Sequence, residues 1–183
     1  MQLQVPFKAP PTASATVRPR VRGKFLFLGD RKLYVRGVTY GTFASSPETG
    51  DFPPRATVAS DFSAIARMGA NAVRVYIVPP MWLLDIAKDH GLVVLVGLPW
   101  EQHVAFLDEP TRADDIERRL EAAIRPIAGH PAILAFAVGN EIPAGVVRWH
   151  GRNRVSEFLA RLASMVRRMD PGALVTYVNF PTT

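Results

Sequence analysis

The stretch ILAFAVGNEIPAG, residues 133–145, decides the fold. It begins as an unbroken apolar run and ends in Gly-Asn-Glu. A strand covered on both faces reads as such a run, and parallel sheets are built from strands of that kind. The ending has two readings. Gly and Asn are turn residues, so the run can close in an ordinary turn with a solvated Glu. Alternatively, a carboxylate and an amide stand at the carboxyl end of a parallel strand, where α/β active sites lie.

Working outward, strand patterns alternate with helix patterns. Upstream, TRADDIERRLEAAIRPIAGHP (111–131) predicts a helix, with Thr111 and Asp114 as a capping box and Ile116, Leu120, Ala123 and Ile127 as its apolar stripe. LVVLVGL (92–98) and NAVRVYIV (71–78) read as strands around a helix in PPMWLLDIAKDHG (79–91), with Pro at its start and Gly at its end. ATVASDFSAIARMGA (56–70) predicts a helix with Ile65 and Met68 on its apolar side. LYVRGVTY (33–40) is a strand, and Gly29-Asp30 splits KFLFLGDRKLYVRG (24–37) into a hairpin. Downstream, NRVSEFLARLASMVRRMDPG (153–172) is a helix and ALVTYVNF (173–180) a strand. The order predicts an α/β fold: about five parallel strands, four connecting helices and a preceding β-hairpin. A doubly wound sheet would carry a Gly-rich phosphate turn after an early strand. VTYGTFASSPETGDFPP (38–54) is long, has no G-x-G-x-x-G and contains three prolines. The alternative is an incomplete TIM (β/α)8 barrel, whose full form takes about 250 residues.

Composition sets bounds. The chain has 183 residues, is 48% hydrophobic and has no cysteine, which leaves no disulfide or thiolate metal site. No run approaches a membrane span or a signal peptide, so a cytoplasmic protein is expected. The net charge of +6 is uneven: residues 1–36 hold eight basic side chains against Asp30, and the rest hold 14 basic and 15 acidic. We therefore expect a disordered, basic, Pro/Ala-rich leader over 1–20 and a near-neutral body over 21–183. That body offers no basic face or module for specific nucleic-acid binding.

The strand ends collect polar groups: Tyr40, then Arg74 and Tyr76, then Trp100, Glu101 and His103, then Asn140 and Glu141, then Asn179 and Phe180. Strand alternation groups Val73, Val75 and Ile77 on one face and Ala72, Arg74 and Tyr76 on the other. It likewise groups Leu134, Phe136 and Val138 against Ala135, Ala137, Gly139 and Glu141. The bulky faces suit a helical layer, which sends Arg74 and Glu141 inward together. An Arg there would keep the carboxylate ionised and oriented, and a plain stabilising ion pair would look the same.

The ordered set GANAVRVYIVPP (69–80), GLVVLVGLP (91–99) and HPAILAFAVGNEIP (130–143) resembles the catalytic barrels of retaining glycoside hydrolases, most closely the family 2 type. RGKFLFLGDRKLYVRGVTYGTF (22–43) looks like the entry segment of such barrels when they precede a glycosyltransferase module. The resemblance spans 22–183 as the N-terminal portion of a barrel. It implies Glu141 as general acid/base, Asn140 on the sugar 2-hydroxyl and Arg74 supporting the nucleophile. The substrate would be a β-linked glycan, with no metal or cofactor. Trp100 and Tyr76 are candidate sugar platforms, and Glu101 is a rim or substrate contact. The family's nucleophile is a second Glu on strand seven, which has no counterpart here. The expectation is a chain inactive alone, self-associating through open sheet edges. The other expectation is a non-catalytic carbohydrate-binding or regulatory half-barrel of a polysaccharide synthase.

Overall fold

A computed structural model describes residues 17–179. Residues 1–16 of the expected leader, and Phe180, lie outside the described residues. Pro19 and Arg20, placed in the leader by the sequence, belong to a strand. Strand β1 (Pro19–Arg22) pairs antiparallel with β2 (Phe25–Leu28), which turns at Gly29 (φ 62°) into β3 (Arg31–Lys32). The hairpin at Gly29-Asp30 is therefore present, with one strand more than the sequence suggested. The positive charge of this region also belongs to folded structure. Arg22 lies 3.9 Å from the Phe27 ring centroid and Lys32 lies 3.7 Å from that of Phe25.

Five parallel strands follow in spatial order β4 (Gly37–Thr39), β5 (Ala72–Val75), β6 (Val93–Gly97), β7 (Ile133–Asn140) and β8 (Val175–Val178). Helices α1 (Arg55–Arg67), α2 (Met81–Asp89) and α3 (Pro110–Ile124) make the first three crossovers. The fourth holds two helices where one was expected. They are α4 (Ala144–His150) and α5 (Arg152–Met169), separated by Gly151 at φ 85°. This is the parallel sheet and helical layer of a TIM-barrel fragment, preceded by a three-stranded antiparallel sheet.

The bulky strand faces meet the helices as predicted, except that Leu134, skipped by the register between Ile133 and Ala135, joins the opposite face. Val73, Val75, Val94, Val96, Phe136 and Val138 share a buried core with Phe62, Leu83, Ile116 and Leu162. The opposite face is sealed at the amino ends of the strands. There Ala72, Val93, Leu134 and Ala135 pack against Leu26 and Leu33 of the small sheet. Two local expectations fail. Met68 is 72% exposed at the end of α1, which buries Val58 and Phe62 instead. Thr111 does not cap α3: the cap is Glu109, and Pro110, lacking an N–H, takes the first helical position. Arg161 and Arg168 of α5 reach Asp114 and Glu117 of α3 and tie the two helices together.

Strand β7 departs from regular alternation twice. Val94 pairs with Ile133 but Leu95 with Ala135; Ala137 pairs with Thr176 but Asn140 with Val178. An extra residue on one strand is a bulge, and it flips every later side chain to the other face. The second irregularity therefore changes which residue at the end of β7 faces Arg74. Among the described residues no helix is long and apolar enough to cross a membrane.

Candidate active site

Arg74 and Asn140 meet at the carboxyl end of the sheet: an Arg74 Nη2–H donates to Asn140 Oδ1. Their strands are not neighbours, because β6 runs between them. The span is open because Gly97 of β6 pairs in register with Ala137 of β7, and neither fills the inner face. Gly97 has a second reason to lack a side chain. A Cβ there would lie 2.6 Å from the Tyr76 carbonyl oxygen. The result is a cleft of about 210 Å3 whose walls include Arg74, Tyr76, Trp100, Gln102 and Asn140. The Arg74 guanidinium stands 4.6 Å from the Tyr76 ring centroid. Alternation alone had paired Arg74 with Glu141; the bulge gives that place to Asn140.

Glu141 follows at the cleft's rim and does not line the cleft. Its φ is 53°, the only positive value for a non-glycine among the described residues. The left-handed region costs an L-residue about 1–2 kcal/mol. Such a conformation persists when its surroundings over-determine it, and here three successive amides are held. The Asn140 N–H donates to Gln102 Oε1 (2.7 Å), the Glu141 N–H to the Val178 carbonyl (2.9 Å) and the Ile142 N–H to the Tyr177 hydroxyl (3.0 Å). Tyr177 fits because residue 139 is glycine: a Cβ there would stand 3.0 Å from its ring. Sequence reasoning missed Gln102 and Tyr177. Gln102 lay unused within PWEQH, and Tyr177 read as an ordinary strand residue.

The other candidates divide. Tyr76 is 37% exposed and also borders a smaller hollow with Tyr40, Phe43 and Phe52. Trp100 is 7% exposed; its indole N–H donates to the Val138 carbonyl (2.9 Å) and its ring packs edge-on against Phe106 and Phe158. It is a wall of the cleft set in the core. Glu101 is not in the cleft. Both its oxygens accept from Arg119 Nη2 of α3 (2.9 and 2.7 Å), and that guanidinium holds its carboxyl below the usual range. Among the described residues no His, Cys, Asp and Glu group could hold a metal.

A parallel sheet under helices, with its polar side chains gathered beyond the carboxyl ends of the strands, defines a domain of the TIM-barrel class. The chain belongs to the glycosyl hydrolases family 2, TIM barrel domain, which matches residues 20–182. Among curated proteins it is similar to the 1,3-beta-glucanosyltransferase gel1 of Aspergillus fumigatus, 25% identical over 128 residues. That match covers 67% of this chain and 28% of the relative, so the chain spans little more than a quarter of that protein. Among solved structures it is similar to the beta-glucuronidase of Parabacteroides merdae with glycerol in its active site (TM-score 0.72, 20% identity, 87% of this chain and 20% of that one). It is also similar to Saccharomyces cerevisiae Gas2p in complex with laminaripentaose (TM-score 0.66, 18% identity, 89% and 40%). These structural likenesses concern the fold.

Proposed function

We propose that the chain is the acid/base half of a retaining glycoside hydrolase or transglycosylase that acts on a β-linked glycan. Glu141 is the general acid/base, Asn140 the ligand of the sugar 2-hydroxyl and Arg74 the group that orients Asn140. The observation that carries the reading is the Asn140–Glu141 turn: a left-handed glutamate held by three amide hydrogen bonds beside an Arg-lined cleft. The similarity to a 1,3-beta-glucanosyltransferase supports the substrate class.

In this reading the Glu141 carboxyl proton passes to the glycosidic oxygen as the bond from that oxygen to the anomeric carbon breaks. A second carboxylate bonds to the same carbon from the opposite side. Glu141, now ionised, takes a proton from water or a sugar hydroxyl, whose oxygen then displaces that carboxylate. Retention needs the two carboxyl groups about 5–5.5 Å apart. No described Asp or Glu lines the cleft, so we assign the second to another part of the protein. Residues 1–183 alone are then expected to turn over no aryl β-glycoside above a Glu141→Gln control.

The test is Glu141→Gln in the protein that carries this chain, assayed on β-1,3-glucan oligosaccharides. Loss of a general acid/base lowers the rate by about two to four orders of magnitude. Added azide should restore turnover of activated aryl glycosides as glycosyl azide, since azide needs no base. Near-normal rates on the natural glycan would overturn the assignment.

A further inference from the structure

Beyond the cleft, the most exposed large apolar side chain of this end is Trp149, 72% exposed on α4. Single exposed apolar residues are common and need no function. Trp149 differs in having its indole edge hydrogen-bonded to a neighbouring segment. Its indole N–H donates to both oxygens of Asp108, at 3.1 and 3.0 Å. Asp108 lies in the segment between β6 and α3, and that segment is itself fastened. The Arg154 guanidinium donates to the Leu107 carbonyl (2.8 Å), and the Leu107 N–H donates to Nε2 of buried His150 (3.4 Å). His150 Nδ1 lies 3.4 Å from Asp108 Oδ1. The same segment carries Gln102, which holds the Asn140 amide.

We infer that Trp149, fixed by Asp108, is a sugar-stacking platform for the leaving-group side of a β-linked oligosaccharide. This rests on the reading of Glu141 as acid/base. A proton donated by Glu141 goes to the oxygen of the departing sugar, so that sugar lies on the Glu141 side of the cleft. Helix α4 starts three residues after Glu141. Trp149 sits five residues along it, on the order of 8 Å of helical rise from Ala144, and is not among the walls of the cleft itself. A pyranose presents an apolar face of C–H groups, which a flat, amphipathic ring accepts at low entropic cost because its orientation is already set. An acceptor bound there would favour transfer over hydrolysis.

The test measures binding of laminaripentaose and cellopentaose to residues 1–183 by calorimetry, beside turnover in the larger protein. Trp149→Ala is expected to weaken binding of one or both pentasaccharides by about 3- to 10-fold, with Trp149→Phe retaining most of it. Turnover of an aryl β-glycoside, whose aryl group takes the same position but presents no pyranose face, should fall less than pentasaccharide turnover, while the ratio of transfer to hydrolysis falls. Glu141→Gln should bind pentasaccharide as the unsubstituted chain does. Equal dissociation constants for the unsubstituted chain and Trp149→Ala overturn the platform, as does no binding by either. Weakened binding in Trp149→Ala, with Glu141→Gln fully active, keeps the platform and removes the catalytic reading. A lowered thermal transition in Trp149→Ala with unaltered sugar affinity would make the indole a packing group.

Discussion

The two ends of the five-stranded sheet use the same inner face in opposite ways. At the amino ends, Ala72, Val93, Leu134 and Ala135 close on Leu26 and Leu33. The polar groups nearby are paired: Arg18 donates to both Asp170 oxygens (2.5 and 2.9 Å), and the Gly129 N–H donates to Asp170 Oδ2 (2.9 Å). At the carboxyl ends the same face passes through Arg74, Gly97, Ala137 and Asn140 and stays open. One end is filled, and its buried carboxylate is matched by a cation. The other keeps a guanidinium, an amide and a strained glutamate at the edge of a cleft. Residue size along a single face separates a plug from a site, which is how a barrel divides stability from chemistry.

If that division is real, the largest stability effect lies at the plugged end. Arg18→Ala leaves Asp170, 3% exposed, without its cation. Breaking a buried pair costs about 3–5 kcal/mol; Arg18 is 20% exposed, which argues for the lower end of that range, about 3 kcal/mol by chemical denaturation. Burial pushes the Asp170 carboxyl up, but the Arg18 hydrogen bonds and the Gly129 amide together outweigh it and hold the group below the usual range. A depressed carboxyl contributes stability above the unfolded aspartate's pKa and loses it as pH falls through the folded value. The gap in melting temperature between the native chain and Arg18→Ala should therefore be widest near neutrality and close below about pH 4. A constant gap down to pH 3 would mean that Arg18 acts through packing. Deleting residues 1–20 removes Arg18 and half of β1, and should destabilise the body too, against the expectation of a free leader.

A smaller effect is expected at the crossing between the ends. Gly97→Ala sets a methyl against the Tyr76 carbonyl, where only backbone can yield. Overpacking of this kind costs about 1–3 kcal/mol. It should also weaken pentasaccharide binding, because Tyr76 and the Arg74–Asn140 contact must shift. Unaltered stability and binding would show that the cleft does not depend on this spacing.

The element order was legible because each helix and strand carries its own period and its own Gly or Pro stop. So was the small sheet's hairpin, from Gly29-Asp30. The orientation at the end of β7 was not. Alternation assumes one residue per step, and a bulge between Ala137 and Asn140 leaves no mark in composition. Asn140 was singled out all the same, and its meeting with Arg74 required only that inner-face residues between them be small. The burial of Trp100 was not legible, because an aromatic at a strand end reads alike whether it faces the cleft or the core; its packing against Phe106 and Phe158 is set by the tertiary fold. Glu101 was drawn away by Arg119, a long-range partner that no local pattern announces. The capping box at Thr111 lost to Pro110, which fixes the helix start two residues earlier, with Glu109 at the cap.

The smallest effect has the opposite sign. Glu141 holds φ 53°, so a residue without a Cβ at this position is relieved of the strain. Glu141→Gly gains about 1–2 kcal/mol on that account and gives back about 0.5–1 kcal/mol through the freer unfolded chain. A net gain of about 0.5–1 kcal/mol should raise the melting temperature by about 1–4 °C for a chain of this size. Glu141→Gln keeps the Cβ and should gain nothing. The pair separates backbone from carboxylate: both variants lose the carboxyl group, and only the glycine variant becomes more stable. Equal melting temperatures would mean that the hydrogen bonds from the 140, 141 and 142 amides already offset the left-handed conformation. Asn140–Glu141 would then be as relaxed as the plugged end, and the contrast between the two ends would rest on the cleft alone.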